Sequence, residues 1–200
     1  MNYHLTKAQQ LIKDQTVFII GGGSSLSNFD FTKLNGKSVI AINSAYRYVD
    51  NNAILYWMDQ TWARQQKNEL INHPSILRFT SFSTIVPYPQ VGKAYPLLKT
   101  GEFGYDSDIG QVKGNNSGSQ AINFAATFNP KQIVLLGFDG GPINDKTHFH
   151  SHQLPVDHKH YVRYNQSLES LANLIPCPII NCSNQTNLTC FQIGDINDYL

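Results

Sequence analysis

Four places along the chain put glycine, amide, hydroxyl or carboxylate groups directly after a run of apolar residues, and a fifth puts them at an expected helix start. The first lies in residues 16–26, TVFIIGGGSSL, where Val17-Phe18-Ile19-Ile20 runs into Gly21-Gly22-Gly23-Ser24-Ser25. The others are Asn43-Ser44, Asp59, Asn116-Ser117-Gly118 and Gly137-Phe138-Asp139. Glycines at a strand end let backbone N–H groups approach an anion closely, and serines add hydroxyl donors. The loop is neither GxGxxG nor GxxxxGK[ST], because the lysine is missing. Taken alone, a plain strand-to-helix turn explains it equally well.

Histidine supplies the second chemistry. His148, His150, His152, His158 and His160 fall within thirteen residues, and histidine is the side chain that exchanges protons near neutrality. Any one of them reads as a polar loop residue; five so close together make that reading less sufficient for the cluster, which could supply a proton acceptor. Alternate residues of an extended segment point the same way, so His148, His150 and His152 form a candidate metal site, with Asp139, Asp145 or Asp157 completing the shell. Asp59 and Asp139, at two strand ends, are the pair that could hold Mg²⁺ against a diphosphate.

The elements that must carry these groups are read from hydrophobic runs. Residues 1–15 form a short amphipathic helix. Residues 17–20, 38–43 and 53–58 are nearly continuous apolar runs, the mark of strands in a sheet covered on both faces. A helix over 62–71 and a short strand over 76–79 follow. Residues 80–116 carry Pro87, Pro89, Pro96, Gly101, Gly104 and Gly110 without sustained periodicity, and read as a mobile lid, substrate-binding insertion or small hairpin. A helix then starts near Ser117 with Gly118, Ala121, Ile122 and Ala125 on one face. Residues 132–139 are a buried strand, 161–175 a helix stripe, 178–182 a last strand, and 183–200 close the fold. The expectation is a single α/β domain over 1–200, a mainly parallel, Rossmann-like sheet with helices on both faces. In such a sheet the strand carboxyl ends share one edge, and ligands bind in the crevice there. All five polar groups belong to that edge.

Composition excludes several classes. The formal charge of +1 and 14% charged residues lack the basic face of a nucleic-acid binder. No window reaches the ~18 apolar residues of a membrane helix, and the start, MNYHLTKAQQ, has no signal-peptide pattern. A cytoplasmic protein is expected. Cys177, Cys182 and Cys190 lack CxxC spacing and read as reduced, mostly buried thiols.

GGGSSL, a strand ending in Asn43, NSGSQA entering a helix, and LLGFD together resemble a group of nucleotide-sugar enzymes. These are the bacterial sialyltransferases, the motility-associated (Maf) glycosyltransferases and the 6-hydroxymethylpterin diphosphokinase-like domains, including small phage-encoded members with a histidine-rich stretch after GFD. The resemblance spans about residues 17–191. It implies that Gly22, Gly23 and Ser25 contact nucleotide phosphates, that Asn43 contacts the nucleotide or donor sugar, and that Gly137-Phe138-Asp139 borders a cytidine pocket. It also implies a histidine just ahead of a helix as general base, a place nearest to His160, then His158, with His150 a third choice. In the sialyltransferases the loop reads G-N-G-P-S-L, and two tyrosines assisting phosphate departure have no assigned counterpart here.

The expected activity is glycosyl transfer from a CMP- or UDP-type donor to an acceptor hydroxyl, with no metal. The alternatives are ATP- and Mg²⁺-dependent diphosphate transfer to a small heterocycle, and a non-catalytic nucleotide-binding protein. The nucleotide-site residues are Gly21, Gly22, Gly23, Ser24, Ser25, Asn43, Ser44, Asp59, Asn116, Ser117, Gly118, Gly137, Phe138 and Asp139. The acceptor and a homo-oligomeric state stay open, and host cytoplasm is the expected location for a phage-encoded member.

Overall fold

A computed structural model describes residues 2–75, 77–82, 93–150 and 158–200. Its centre is β1 (Thr16–Ile20), flanked by β2 (Ser38–Ile42) on one side and β7 (Gln132–Leu136) on the other. Beyond β2 come β3 (Ile54–Trp57), β4 (Arg78–Phe82), β5 (Tyr95–Gly101) and β6 (Gln111–Lys113); beyond β7 come β8 (Ile179–Asn181) and β9 (Gln192–Ile193). All eight pairings of this nine-stranded sheet are parallel.

The continuous apolar runs are explained by burial on both faces. Val17 and Ile19 of β1 enter one core with α1 (Tyr3–Ile12), α4 (Ser117–Ala126) and α5 (His158–Ala172); Phe18 and Ile20 enter the other, with α2 (Gln60–Gln65) and α3 (Lys67–Asn72). Each such fully buried aliphatic side chain contributes about 1.5–3 kcal/mol before chain entropy is subtracted. The strand order reverses between β1 and β7, which makes the adjoining carboxyl ends a topological switch point.

Three readings of the chain differ from the structure. The described part of 80–116 is an extension of the sheet, since β5 and β6 add two parallel strands; residues 83–92 of that stretch lie outside the described residues. The helix over 62–71 is two short helices divided at Gln66, whose φ of −95° and ψ of 9° leave the helical region. The strand expected at 76–79 lies at Arg78–Phe82. Among the described residues no helix is long and apolar enough to cross a membrane. All three cysteines are free, and burial pushes each thiol up to about 11.

Candidate functional site

A cleft of about 350 Å³ opens at the carboxyl edge of the sheet, over the switch point. Its walls are the glycine loop, Asn43, Asp59, the start of α4, the loop after β7 from Gly137 to Gly141, Thr147-His148, and the first turns of α5. Of the fourteen expected nucleotide-site residues, eleven line it: Gly21, Gly22, Gly23, Asn43, Asp59, Asn116, Ser117, Gly118, Gly137, Phe138 and Asp139.

Ser24, Ser25 and Ser44 are placed elsewhere. The Ser25 N–H donates to Asp139 Oδ2 at 3.0 Å and its hydroxyl to Oδ1 at 2.5 Å, while the Ser24 hydroxyl reaches Oδ2 at 3.5 Å. Both serines also border a second cavity of about 400 Å³, outside the cleft. Ser44 is fully buried and its Oγ accepts from Trp62 Nε1 at 3.0 Å. The donors of the Gly-Ser turn are therefore spent on Asp139, a 3% exposed carboxylate that sits where a bound anion could have been. Burial raises the Asp139 carboxyl above the ordinary aspartate range, and the bonds from Ser25 oppose that rise.

The glycine loop is committed in the same way. Gly21 N–H donates to Leu136 O at 2.7 Å and Gly23 N–H to Gly137 O at 2.9 Å. A Cβ at Gly23 would lie 2.4 Å from Asp139 Cγ, and one at Gly21 would lie 2.6 Å from Gly137 O. Gly137 itself has φ +70°, in the left-handed region that glycine enters freely. Only Gly22 keeps an N–H without a protein partner among the described residues, and a Cβ there would meet the His148 ring at 2.9 Å.

The start of α4 is an open donor set. Asn116 Oδ1 caps the helix by accepting from Ser119 N–H at 2.9 Å. The Ser117 and Gly118 N–H groups have no protein partner among the described residues and carry the positive end of the helix dipole. Ser117 Oγ accepts from Met58 N–H at 3.0 Å and donates to Asn43 Oδ1 at 3.4 Å, joining the ends of β2, β3 and α4. Asn43 holds a left-handed backbone, φ +49°, which asparagine tolerates. Asp59 spends one carboxylate oxygen, Oδ1, on the N–H groups of Thr61 and Trp62 as the cap of α2, and the other is not used there.

α5 forms the far wall. Asn115 Nδ2 donates to Arg163 O at 2.9 Å and Asn165 Nδ2 to Gly140 O at 2.8 Å, which fixes the helix against both neighbouring loops. Tyr161 and Tyr164 then line the cleft. Burial, with the charge of Asp139 beside it, pushes the Tyr161 phenol up to about 12; burial and Asp59 raise Tyr164. Both stay protonated at neutral pH and remain hydrogen-bond donors. No sequence signal distinguished them from core positions of a helix stripe.

Of the histidines, His148 lines the cleft. Its Nδ1 pairs with Thr147 Oγ1 at 3.0 Å, and burial holds its imidazole below the usual histidine range. His150 stacks on Tyr48 instead, and His160 is exposed on α5 with its ring 6.2 Å from that of Tyr164. His158 opens α5. The three-histidine metal reading includes His152, which with Asp157 lies outside the described residues; among the described residues no group of three metal-ligating side chains comes together. Among the described residues that line the cleft there is no Lys or Arg, whereas Asp59 and Asp139 are there. Comparison of the chain with family models, with curated proteins and with solved structures finds no match.

Proposed function

We propose that this chain is a glycosyltransferase-like enzyme that moves a sugar from a nucleotide-activated donor to an acceptor hydroxyl. The observation that carries the proposal is one cleft combining an open helix N-terminus, two tyrosines and a histidine that burial holds below its usual range, with no Lys or Arg among the described lining residues. The Ser117 and Gly118 N–H groups hold the phosphate, and the Gly22 N–H meets a neutral oxygen of the donor. Asn43 and the remaining oxygen of Asp59 orient hydroxyls of the ribose or the sugar. His148, in place of His160, His158 or His150, takes the acceptor proton. The acceptor oxygen bonds to the anomeric carbon, the bond from that carbon to the phosphate oxygen breaks, and the phosphate leaves with the electron pair. Tyr161 and Tyr164 donate hydrogen bonds to it as its charge develops.

Charge favours the CMP-type donor over the UDP-type. A CMP-linked sugar concentrates one negative charge on its phosphate where a UDP-linked sugar concentrates two, and a diphosphate beside two aspartates needs a cation more than a single phosphodiester does. Mg²⁺ fits these residues poorly as a bridge between Asp59 and Asp139. Both oxygens of Asp139 are engaged by Ser24 and Ser25, and one of Asp59 caps α2.

Thermal-shift measurements with CMP, UDP and ATP, each with Mg²⁺ and with EDTA, test the proposal. Stabilisation by CMP that survives EDTA is expected. Stabilisation confined to ATP with Mg²⁺ would transfer the cleft to the diphosphokinase-like reading. CMP binding with no turnover of any CMP-linked sugar, even to hydrolysis, would leave a nucleotide-binding protein. No response to any nucleotide would overturn all three.

A further inference from the structure

The second cavity, of about 400 Å³, shares no lining residue with the cleft among the described residues, and no step of the proposed reaction uses it. Its floor is apolar: Leu26, Leu136 and Cys182 are buried and belong to the same core as Phe18 and Ile20 of β1. Its rim is polar. The exposed side-chain amides of Asn28, Asn144, Asn184 and Gln185 border it, and none has a protein partner among the described residues. An apolar floor under a few polar groups, at this volume, is the make-up of a small-molecule site.

Charge separates the two cavities. The cleft is lined by two aspartates and, among the described residues, by no Lys or Arg; the second cavity is lined by Lys146 and by no Asp or Glu. Main chain sets Lys146 in place. Ile143 and Lys146 exchange two backbone bonds of 3.0 Å across Asn144 and Asp145, whose φ angles of +48° and +62° close a tight hairpin turn that asparagine and aspartate tolerate. The Lys146 ammonium makes no ion pair among the described residues. At the Cys182 wall the field is of the other sign. Burial raises that thiol first, and the charges of Asp195 and Asp198 raise it further, although neither aspartate lines the cavity. A bound negative charge is therefore favoured beside Lys146 and disfavoured beside Cys182.

We propose that this cavity is a second ligand site and takes a small carboxylic acid as its anion, the carboxylate on Lys146 among the rim amides and an apolar body over Leu26, Leu136 and Cys182. One ammonium balances one charge, which favours a carboxylate over a phosphate dianion. An ion pair at an exposed rim adds little affinity by itself; the floor supplies most of the binding, and Lys146 selects the charge. The assignment does not depend on what the cleft binds.

Proton–nitrogen correlation NMR of the full chain tests this, because side-chain amides give their own signals and each cavity has its set. Asn28, Asn144, Asn184 and Gln185 report on this cavity, Asn43 and Asn116 on the cleft. The probes are hexanoate and phenylacetate, their primary amides as neutral counterparts, and phenyl phosphate. At least one acid is expected to shift the first set, leave the second in place, and bind about two- to fivefold tighter than its own amide, the scale of an exposed ion pair. Lys146→Arg should keep that preference. Lys146→Gln should erase it, leaving acid and amide equal, with the rest of the spectrum unchanged as the check on folding. No shift of the first set by either acid overturns the site, and so do shifts confined to Asn43 and Asn116, which put the acid in the cleft. An amide that binds wild type as tightly as its acid, or a preference that survives Lys146→Gln, overturns the pairing with Lys146 and the carboxylate class with it. Phenyl phosphate binding tighter than both acids overturns that class in favour of a phosphate.

Discussion

Gly23→Ala is the substitution whose effect the structure specifies most closely, with Gly22→Ala as its internal control. Neither residue has a positive φ, so backbone freedom does not decide the outcome; space does. At position 23 the new methyl would lie 2.4 Å from Asp139 Cγ and 2.5 Å from Gly137 O. One of these is main chain, and the other is a carboxylate held by Ser24 and Ser25. Neither can retreat without breaking bonds. Overpacking of this kind costs about 1–3 kcal/mol, and loosening the charge-assisted bonds to Asp139 adds about 1.5–3 kcal/mol. For a domain of 200 residues, a total of about 3–5 kcal/mol lowers the melting temperature by roughly 10–15 °C. At position 22 the methyl meets only the His148 ring, at 2.9 Å, the far end of a side chain that can swing aside. Gly22→Ala should therefore melt within about 3 °C of wild type, a cost of at most ~1 kcal/mol. Thermal denaturation followed by circular dichroism reads both. A Gly23→Ala protein as stable as wild type, or a reversed order of the two, would refute the packing argument.

Two further outcomes are expected. In hydrolysis of a CMP-linked sugar, followed by release of CMP, His148→Ala should lower turnover by about 10²–10⁴-fold, while His160→Ala stays within about twofold; equal losses would remove His148 from the reaction. Asp139→Asn gives a test by pH. Burial raises the folded-state pKa of Asp139, so the native state holds this proton to higher pH than the unfolded chain does. Its contribution to stability is fully present below the ordinary aspartate value of about 4 and is lost as pH rises through the raised folded value. The melting temperature of wild type minus that of Asp139→Asn should accordingly fall as pH climbs out of the aspartate range, and a flat difference would contradict the raised pKa.

The sheet was legible wherever burial on both faces made a strand continuously apolar. β1, β2, β3 and β7 are such strands, and their polar ends locate the edge that carries the cleft. β5 was not legible, because it is largely half-buried, with Leu97 its one buried residue and Pro96 breaking the pattern. A half-covered strand without clean alternation looks like loop. Among the histidines, sequence distance to the helix pointed to His160, but distance along the chain does not say which ring turns inward. That is settled by the 147–150 segment, anchored where Phe149 N–H meets Gly22 O. Tyr161 and Tyr164 were hidden for a different reason. They share a helix face with Leu168, so one apolar stripe serves two purposes: its first turns line the cleft and its later turns enter the core.

The glycine loop shows why a residue pattern can locate a site yet leave its contacts open. Three glycines and two serines after a strand are what a phosphate-binding loop requires, and equally what close packing of two loops requires. Here the second demand accounts for most of the pattern. Gly21 and Gly23 leave room for Gly137 and Asp139, and Ser24 and Ser25 hold the Asp139 carboxylate, an anion the chain supplies itself. With that carboxylate in place, a second anion close to the turn would be repelled. Under the proposed function, a donor's negative charge is thereby favoured at the open N-terminus of α4, on the side of the cleft away from the turn. On this argument the loop acts as a rigid wall that sets where charge cannot go, and Gly22 is the one position in it still able to touch what binds.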